Sequence, residues 1–196
     1  MKNVAVFCSG GGTDFQSIID ANEKERFCNL KVMIASKEGI GAIDRAKAHG
    51  IGFEVFDKKN YPDLKSMFKD ISAMFKELGI DYIVLAGYLS ILDEDFVREY
   101  KNRIINIHPS LIPSFCGMGY YGLKVHKAAL DRGVKITGAT IHFVDEGADT
   151  GKILMQRAVE VLDGDTPETL QQRVLKAEHE MLPLAVKNLV NGVYGG

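Results

Sequence analysis

No stretch of the chain approaches the roughly 20 consecutive apolar residues that a membrane span requires. Met1-Lys2-Asn3-Val4-Ala5-Val6-Phe7 leads straight into a buried-strand pattern, with neither the long apolar region nor the small-residue cleavage site of a secretory leader. A membrane protein and an exported one are thereby set aside, and a cytoplasmic location is expected. Cys8, Cys28 and Cys116 are too few and too scattered for a disulfide framework, and reduced thiols are the natural reading. Neither a His-x-Glu nor a Cys-x-x-Cys arrangement occurs, so no metal is expected. The 24 basic and 26 acidic side chains leave a formal charge of −2, which gives no electrostatic footprint for a nucleic acid or an acidic membrane. With five prolines, no Pro/Ser/Gly linker and no internal repeat, nothing divides the chain, and residues 1–196 read as one domain.

What remains is a soluble-globular composition, 46% hydrophobic and 26% charged, in a chain long enough to bury a substantial core. Short apolar runs at Val4–Phe7, Val32–Ala35, Phe53–Phe56, Tyr82–Ala86 and Ile104–Ile107 alternate with helical patterns. A helix is expected from about Asp14, with Phe15, Ile18 and Ile19 on one face, and another around Ile43–His49, closed by Gly50. Between Pro62 and Leu78 the residues Leu64, Met67, Phe68, Ile71, Met74, Phe75 and Leu78 recur at helical spacing, with Pro62 suited to the first turn and Gly79 to the end. Asp93 can cap a short helix carrying Phe96 and Val97. This order predicts an α/β fold: a Rossmann-like, open, mostly parallel sheet with helices on both faces. After Gly133, Lys135–Val144 and Lys152–Val161 read as a longer antiparallel pair. A last helix is expected from Thr166-Pro167 through Leu170, Val174, Met181 and Leu184, with Pro183 threatening a kink.

Two features carry chemistry. Ser9-Gly10-Gly11-Gly12-Thr13-Asp14 follows the first strand and opens a helix, where glycines allow close approach and unpaired N–H groups meet an anion. Phe15 stands in place of the third glycine of a dinucleotide fingerprint, and no Gly-Lys-Ser/Thr follows. The loop suits a single phosphate, or else is a tight turn without a ligand. The second feature is Asn106-Ile107-His108-Pro109-Ser110. Side chains two apart on a strand share a face, so Asn106 and His108 project together from the carboxyl edge of the sheet. An amide N–H and a protonated imidazole can hold an oxyanion, and the imidazole can shuttle a proton. The alternative is a hydrogen-bonded Asn and His that stabilise the turn before Pro109. Asp149, in Ala148-Asp149-Thr150-Gly151, is either a turn residue or a carboxylate that orients His108 and raises its pKa. His142 reads as a side chain on one face of a strand rather than a catalytic group.

In sequence order, Ser9 to Asp14, Leu85-Ala86-Gly87-Tyr88-Leu89-Ser90-Ile91-Leu92, Ile105 to Pro113, Gly138-Ala139-Thr140-Ile141-His142-Phe143-Val144 and Asp149-Thr150-Gly151 resemble the folate-dependent formyltransferases. Within them the chain is most similar to the glycinamide ribonucleotide branch. That resemblance implies transfer of a formyl group from 10-formyltetrahydrofolate, as co-substrate, to the amine of glycinamide ribonucleotide. Asn106 and His108 would stabilise the tetrahedral oxyanion, and Asp149 would keep His108 charged and organise water for proton transfer. Gly11, Gly12, Thr13 and Asp14 would hold the phosphate, with Pro109 and Glu178 also on the nucleotide; by position alone Glu178 is an exposed helix charge. Leu89, Ser90, Ile91, Leu92, Asn106 and Val144 would line the folate pocket.

Two departures stand out. Asp14 occupies a position where the family commonly has Asn, which sets a carboxylate near a bound phosphate unless it caps the helix and turns away. The segment from Cys116 to Gly122 is longer than in the shortest members, and its glycines and tyrosines suggest a flexible rim. Methionyl-tRNA formyltransferase is disfavoured by the missing carboxyl-terminal nucleic-acid-binding domain, and formyltetrahydrofolate deformylase by the missing amino-terminal regulatory domain. A non-catalytic folate- or nucleotide-binding module would not need Asn106, His108 and Asp149 together. The sequence does not set an oligomeric state.

Overall fold

The structure, a computed structural model, describes residues 1–195. Seven strands form one sheet in the order β3-β2-β1-β4-β5-β6-β7. They are β1 (Asn3–Cys8), β2 (Asn29–Ala35), β3 (Gly52–Val55), β4 (Tyr82–Leu85), β5 (Ile104–His108), β6 (Ile136–Phe143) and β7 (Ile153–Glu160). Strands β1 to β5 pair parallel, and β6 alone runs against both its neighbours. The expected architecture, including the reversed strand near the carboxyl end, is therefore the one observed.

Alternation along β1 decides which face each side chain serves. Val4, Val6 and Cys8 join a core under α1 (Thr13–Glu25), α2 (Gly41–Ala48), α5 (Leu123–Arg132) and α6 (Pro167–Val190). Ala5 and Phe7 join the opposite core under α3 (Leu64–Leu78) and α4 (Glu94–Glu99). Phe7 there meets Phe75, Tyr88 and Phe96 edge-on at centroid distances of 5.8, 5.1 and 6.4 Å, a geometry that suits aromatic quadrupoles.

Several local expectations are corrected. Asp63, not a proline in the first turn, starts α3: its carboxylate accepts the Ser66 N–H at 2.7 Å, and Pro62 lies outside the helix. Helix α6 runs past Pro183 to Val190 as a single element, and Leu184 within it is 46% exposed. Helix α5 is not announced by the sequence pattern, because only Val125, His126 and Ala129 are buried and so few apolar positions leave a faint stripe.

The chain steps outward from β1 through β2 to β3, then crosses to place β4 on the other side of β1. Such a reversal opens a crevice at the carboxyl ends of the strands. Here the loops after β1 and β4 are tied together: the Ser9 N–H donates to the Gly87 carbonyl at 3.1 Å, and Ser9 Oγ accepts the Leu89 N–H at 3.0 Å.

Candidate active site

A cleft of about 640 Å³ runs along this crevice. Asn106, His108, Pro109, Asp149, Asp14, Glu178, Val144 and the Leu89–Leu92 segment all line it. Five regions separated in sequence thus meet at the carboxyl ends of β4 and β5 and across β6.

His108 is 5% exposed, at the last position of β5. Its Nδ1 faces Asp149 Oδ2 at 3.6 Å, and its Nε2 donates to the Phe115 carbonyl at 2.9 Å. Asp149 Oδ2 also accepts the Gly117 N–H at 2.9 Å, while Oδ1 lies 3.6 Å from His142 Nε2. Phe115 and Asp149, the two residues that flank His108, have φ of 53° and 59°. Residues other than glycine seldom occupy this left-handed region, and aspartate tolerates it better than phenylalanine. Both groups around the imidazole are thus set by backbone that the surrounding fold must hold in place.

The electrostatics depart from the simple expectation that Asp149 keeps His108 charged. Burial pulls the His108 pKa below the ordinary histidine value, and the Phe115 carbonyl and Asp149 oppose it without winning. For Asp149, burial works upward, but the Gly117 N–H and the neighbouring His108 and His142 rings leave its carboxyl below the usual range. The carboxylate is the settled charge of this pair, and the ligand-free imidazole is held towards neutrality.

At the other end, Gly12 takes the N-cap position of α1 with φ 71°, and no side chain caps the helix. Of the two readings left open for Asp14, the helix cap is therefore excluded. Asp14 lies inside the first turn, 8% exposed, with Oδ1 3.6 Å from His179 Nε2, and neither atom has a hydrogen-bond partner among the described residues. The first-turn N–H groups remain open to an anion. Arg45 Nε–H braces the loop from α2 through the Gly11 carbonyl at 2.7 Å. A Cβ on Gly12 would come within 2.8 Å of the Ala42 Cβ, so close packing as well as conformation calls for glycine there. Gly11 and Gly12 do not line the main cleft, and Thr13 lines a neighbouring one between α1 and α6. Glu178 is not the exposed helix charge that its position alone suggests. It is buried, and desolvation first, then Asp14, push its carboxyl well above the ordinary value.

The apolar end is open: Leu89 is 62% exposed, Ile91 similarly so, and Leu92 is buried. His126 and His142 are the wall residues that sequence reasoning missed or set aside. His126 sits on the unannounced helix, and burial pushes its pKa down to about 4.

A family model for formyl transferases matches residues 2–186. The chain belongs to the formyl transferase family. It is 43% identical over 190 residues to a chloroplastic phosphoribosylglycinamide formyltransferase of Vigna unguiculata, covering 96% of this chain and 61% of that protein. It is 36% identical over 191 residues to a phosphoribosylglycinamide formyltransferase of Bacillus subtilis, covering 97% of this chain and 95% of that one. The fold superposes on the crystal structure of a glycinamide ribonucleotide transformylase from Symbiobacterium toebii with a TM-score of 0.92 at 35% identity, over 98% and 89% of the two chains. The chain spans about three-fifths of the length of the two plant relatives, 61% and 62%. Among the described residues no helix is long and apolar enough to cross a membrane.

Proposed function

We propose that this formyl transferase moves the formyl group of 10-formyltetrahydrofolate to the amine of glycinamide ribonucleotide, a step of de novo purine biosynthesis, in the cytoplasm. The observation that carries this reading is the convergence of Asn106, His108 and Asp149 in one cleft. Asp14, in the first turn of an uncapped helix, and the Leu89–Leu92 wall line the same cleft. A phosphate suits the first and a pterin the second.

In this reading the nucleotide lies with its phosphate at Gly11, Gly12, Thr13 and the backbone of Asp14, and with Pro109 and Glu178 beside its sugar. The folate lies against Leu89, Ser90, Ile91, Leu92 and Val144. The amine nitrogen attacks the formyl carbon, and the carbonyl π electrons move to oxygen, forming a tetrahedral oxyanion. An N–H of Asn106 and a protonated His108 hold that oxygen. Developing negative charge on that oxygen favours the protonated imidazole, against the burial that lowers the His108 pKa. To donate to the oxyanion, His108 exchanges its Phe115 carbonyl contact for the substrate, and Asp149 balances the new positive charge. The former amine nitrogen loses a proton to water organised by Asp149. As the carbonyl re-forms, the bond from carbon to the folate nitrogen breaks and that nitrogen takes a proton, giving tetrahydrofolate.

Purified protein is expected to formylate glycinamide ribonucleotide only when 10-formyltetrahydrofolate is supplied, with one tetrahydrofolate formed for each nucleotide product. Release of formate without formylated nucleotide would overturn the transfer reading in favour of hydrolysis.

A further inference from the structure

His142 reads in sequence as one more strand residue, yet the fold sets it directly across from Asn106 in the antiparallel β5–β6 pair. The β6–β7 register slips between Ile141 and His142, a bulge of the kind that re-aims side chains beside active sites. The imidazole is 2% exposed.

Its two ring nitrogens have unlike partners. Nδ1 lies 2.8 Å from the Phe143 carbonyl oxygen. A carbonyl only accepts, so Nδ1 carries the hydrogen, and in the neutral ring Nε2 is a bare lone pair. Nε2 lies 3.1 Å from Asn106 Nδ2, an atom that only donates. These contacts agree with each other in one state, the neutral Nδ1–H tautomer. Asn106 makes no other side-chain hydrogen bond among the described residues. The two ends of its amide are nearly equal in shape, so the bond to His142 alone distinguishes them. With one N–H bound to Nε2, the second N–H of the same nitrogen is left for the cleft that Asn106 lines.

Asp149 Oδ1 stands 3.6 Å from the same Nε2. A carboxylate accepts only, so it would require hydrogen on Nε2, and that hydrogen would collide with the Asn106 N–H. Nε2 serves one neighbour or the other.

We propose that His142 is a positioning residue for formyl transfer, whose Nε2 lone pair fixes the Asn106 amide with its N–H end towards the reacting carbonyl. The inference rests on Asn106 acting as an oxyanion donor, and its test separates the two claims. Steady-state formylation is measured for Asn106→Ala, His142→Phe, His142→Gln and the double variant Asn106→Ala/His142→Phe. Asn106→Ala is expected to lower kcat about 10²-fold. His142→Phe is expected to lower kcat roughly tenfold with both KM values held within about twofold, and His142→Gln, whose amide oxygen accepts, to recover part of the loss. With Ala at position 106, the His142→Phe change is expected to cost nothing further. The same fold loss in both backgrounds, or a Gln variant no better than Phe, would overturn the proposal. Full turnover in the single Asn106→Ala variant would remove the oxyanion reading itself, and the positioning role with it. A measurement independent of activity and of variant folding is the ¹⁵N spectrum of the wild-type imidazole near neutral pH. A pyridine-like Nε2 coupled through the hydrogen bond to Asn106 Nδ2 is expected, and a protonated Nε2 would overturn the assignment.

Discussion

The two ends of the cleft handle carboxylates in opposite ways. Around His108, Asp149 accepts the Gly117 N–H and lies 3.6 Å from each of two imidazoles, and its carboxyl is held below the ordinary range although burial acts against it. Beside the glycine loop, Asp14 and Glu178 are buried near each other, with His179 Nε2 3.6 Å from Asp14 Oδ1, and both carboxyls are pushed up. Cys8 on β1 lies close enough for Asp14 to help raise its thiol, and Arg45 on α2 is turned to Gly11 and Gln16 instead. A carboxylate that accepts a backbone N–H is held as a charge able to balance a changing partner; two buried carboxyls near each other favour the protonated form. In the proposed reading the first end carries the chemistry and the second the recognition.

The largest expected effect comes from removing the fixed charge. Asp149→Asn keeps the size of the side chain but cannot balance a protonated His108, so kcat is expected to fall about 10²-fold or more. The alkaline limb of the pH–rate profile is expected to move to lower pH, because protonated His108 is the active form and the charge that raises its pKa is gone. A profile identical to wild type would remove Asp149 from this role.

A second expectation concerns His126, in the wall of the same cleft. Its folded pKa of about 4 lies below the unfolded value, so the unfolded chain binds the proton first as pH falls. The stability lost begins near pH 6.5 and is complete below about 4, amounting to at most about 3 kcal/mol. His126→Leu is expected to flatten that acid loss while leaving the alkaline side unchanged. Urea unfolding at neutral pH and near pH 4.5 checks this, and an equal loss in both proteins would contradict it.

The smallest effect is expected at the recognition end. Asp14→Asn removes a carboxyl whose folded pKa is raised by burial, with His179 opposing. A raised carboxyl favours folding below its unfolded pKa, and that contribution is lost as pH rises through the folded value. Asn is therefore expected to raise Tm at neutral pH. It is also expected to lower KM for the phosphate-bearing substrate a few-fold at constant kcat, because a negative neighbour is gone. An increased KM would show that the carboxylate itself holds the substrate.

The same contrast marks what was legible in the sequence. Asn106 and His108 follow from alternation on one strand, a local rule, and the fold class follows from the order of short apolar runs. Asp149 needed the family resemblance, since its loop position and left-handed φ of 59° say only that the chain turns there. His142 was set aside because strand register, not sequence spacing, brings it opposite Asn106. The expected capping role of Asp14 failed because Gly12 already occupies the cap position, leaving Asp14 inside the helix against α6. His126 was missed along with its helix. In each case the unread information is a contact between segments distant in sequence.

The division of labour along the cleft is tested most directly by calorimetric titration of glycinamide ribonucleotide into an Asp149→Asn protein that has lost turnover. The account predicts an affinity within about twofold of wild type. Binding lost in step with turnover would contradict it, by placing the nucleotide on Asp149 itself.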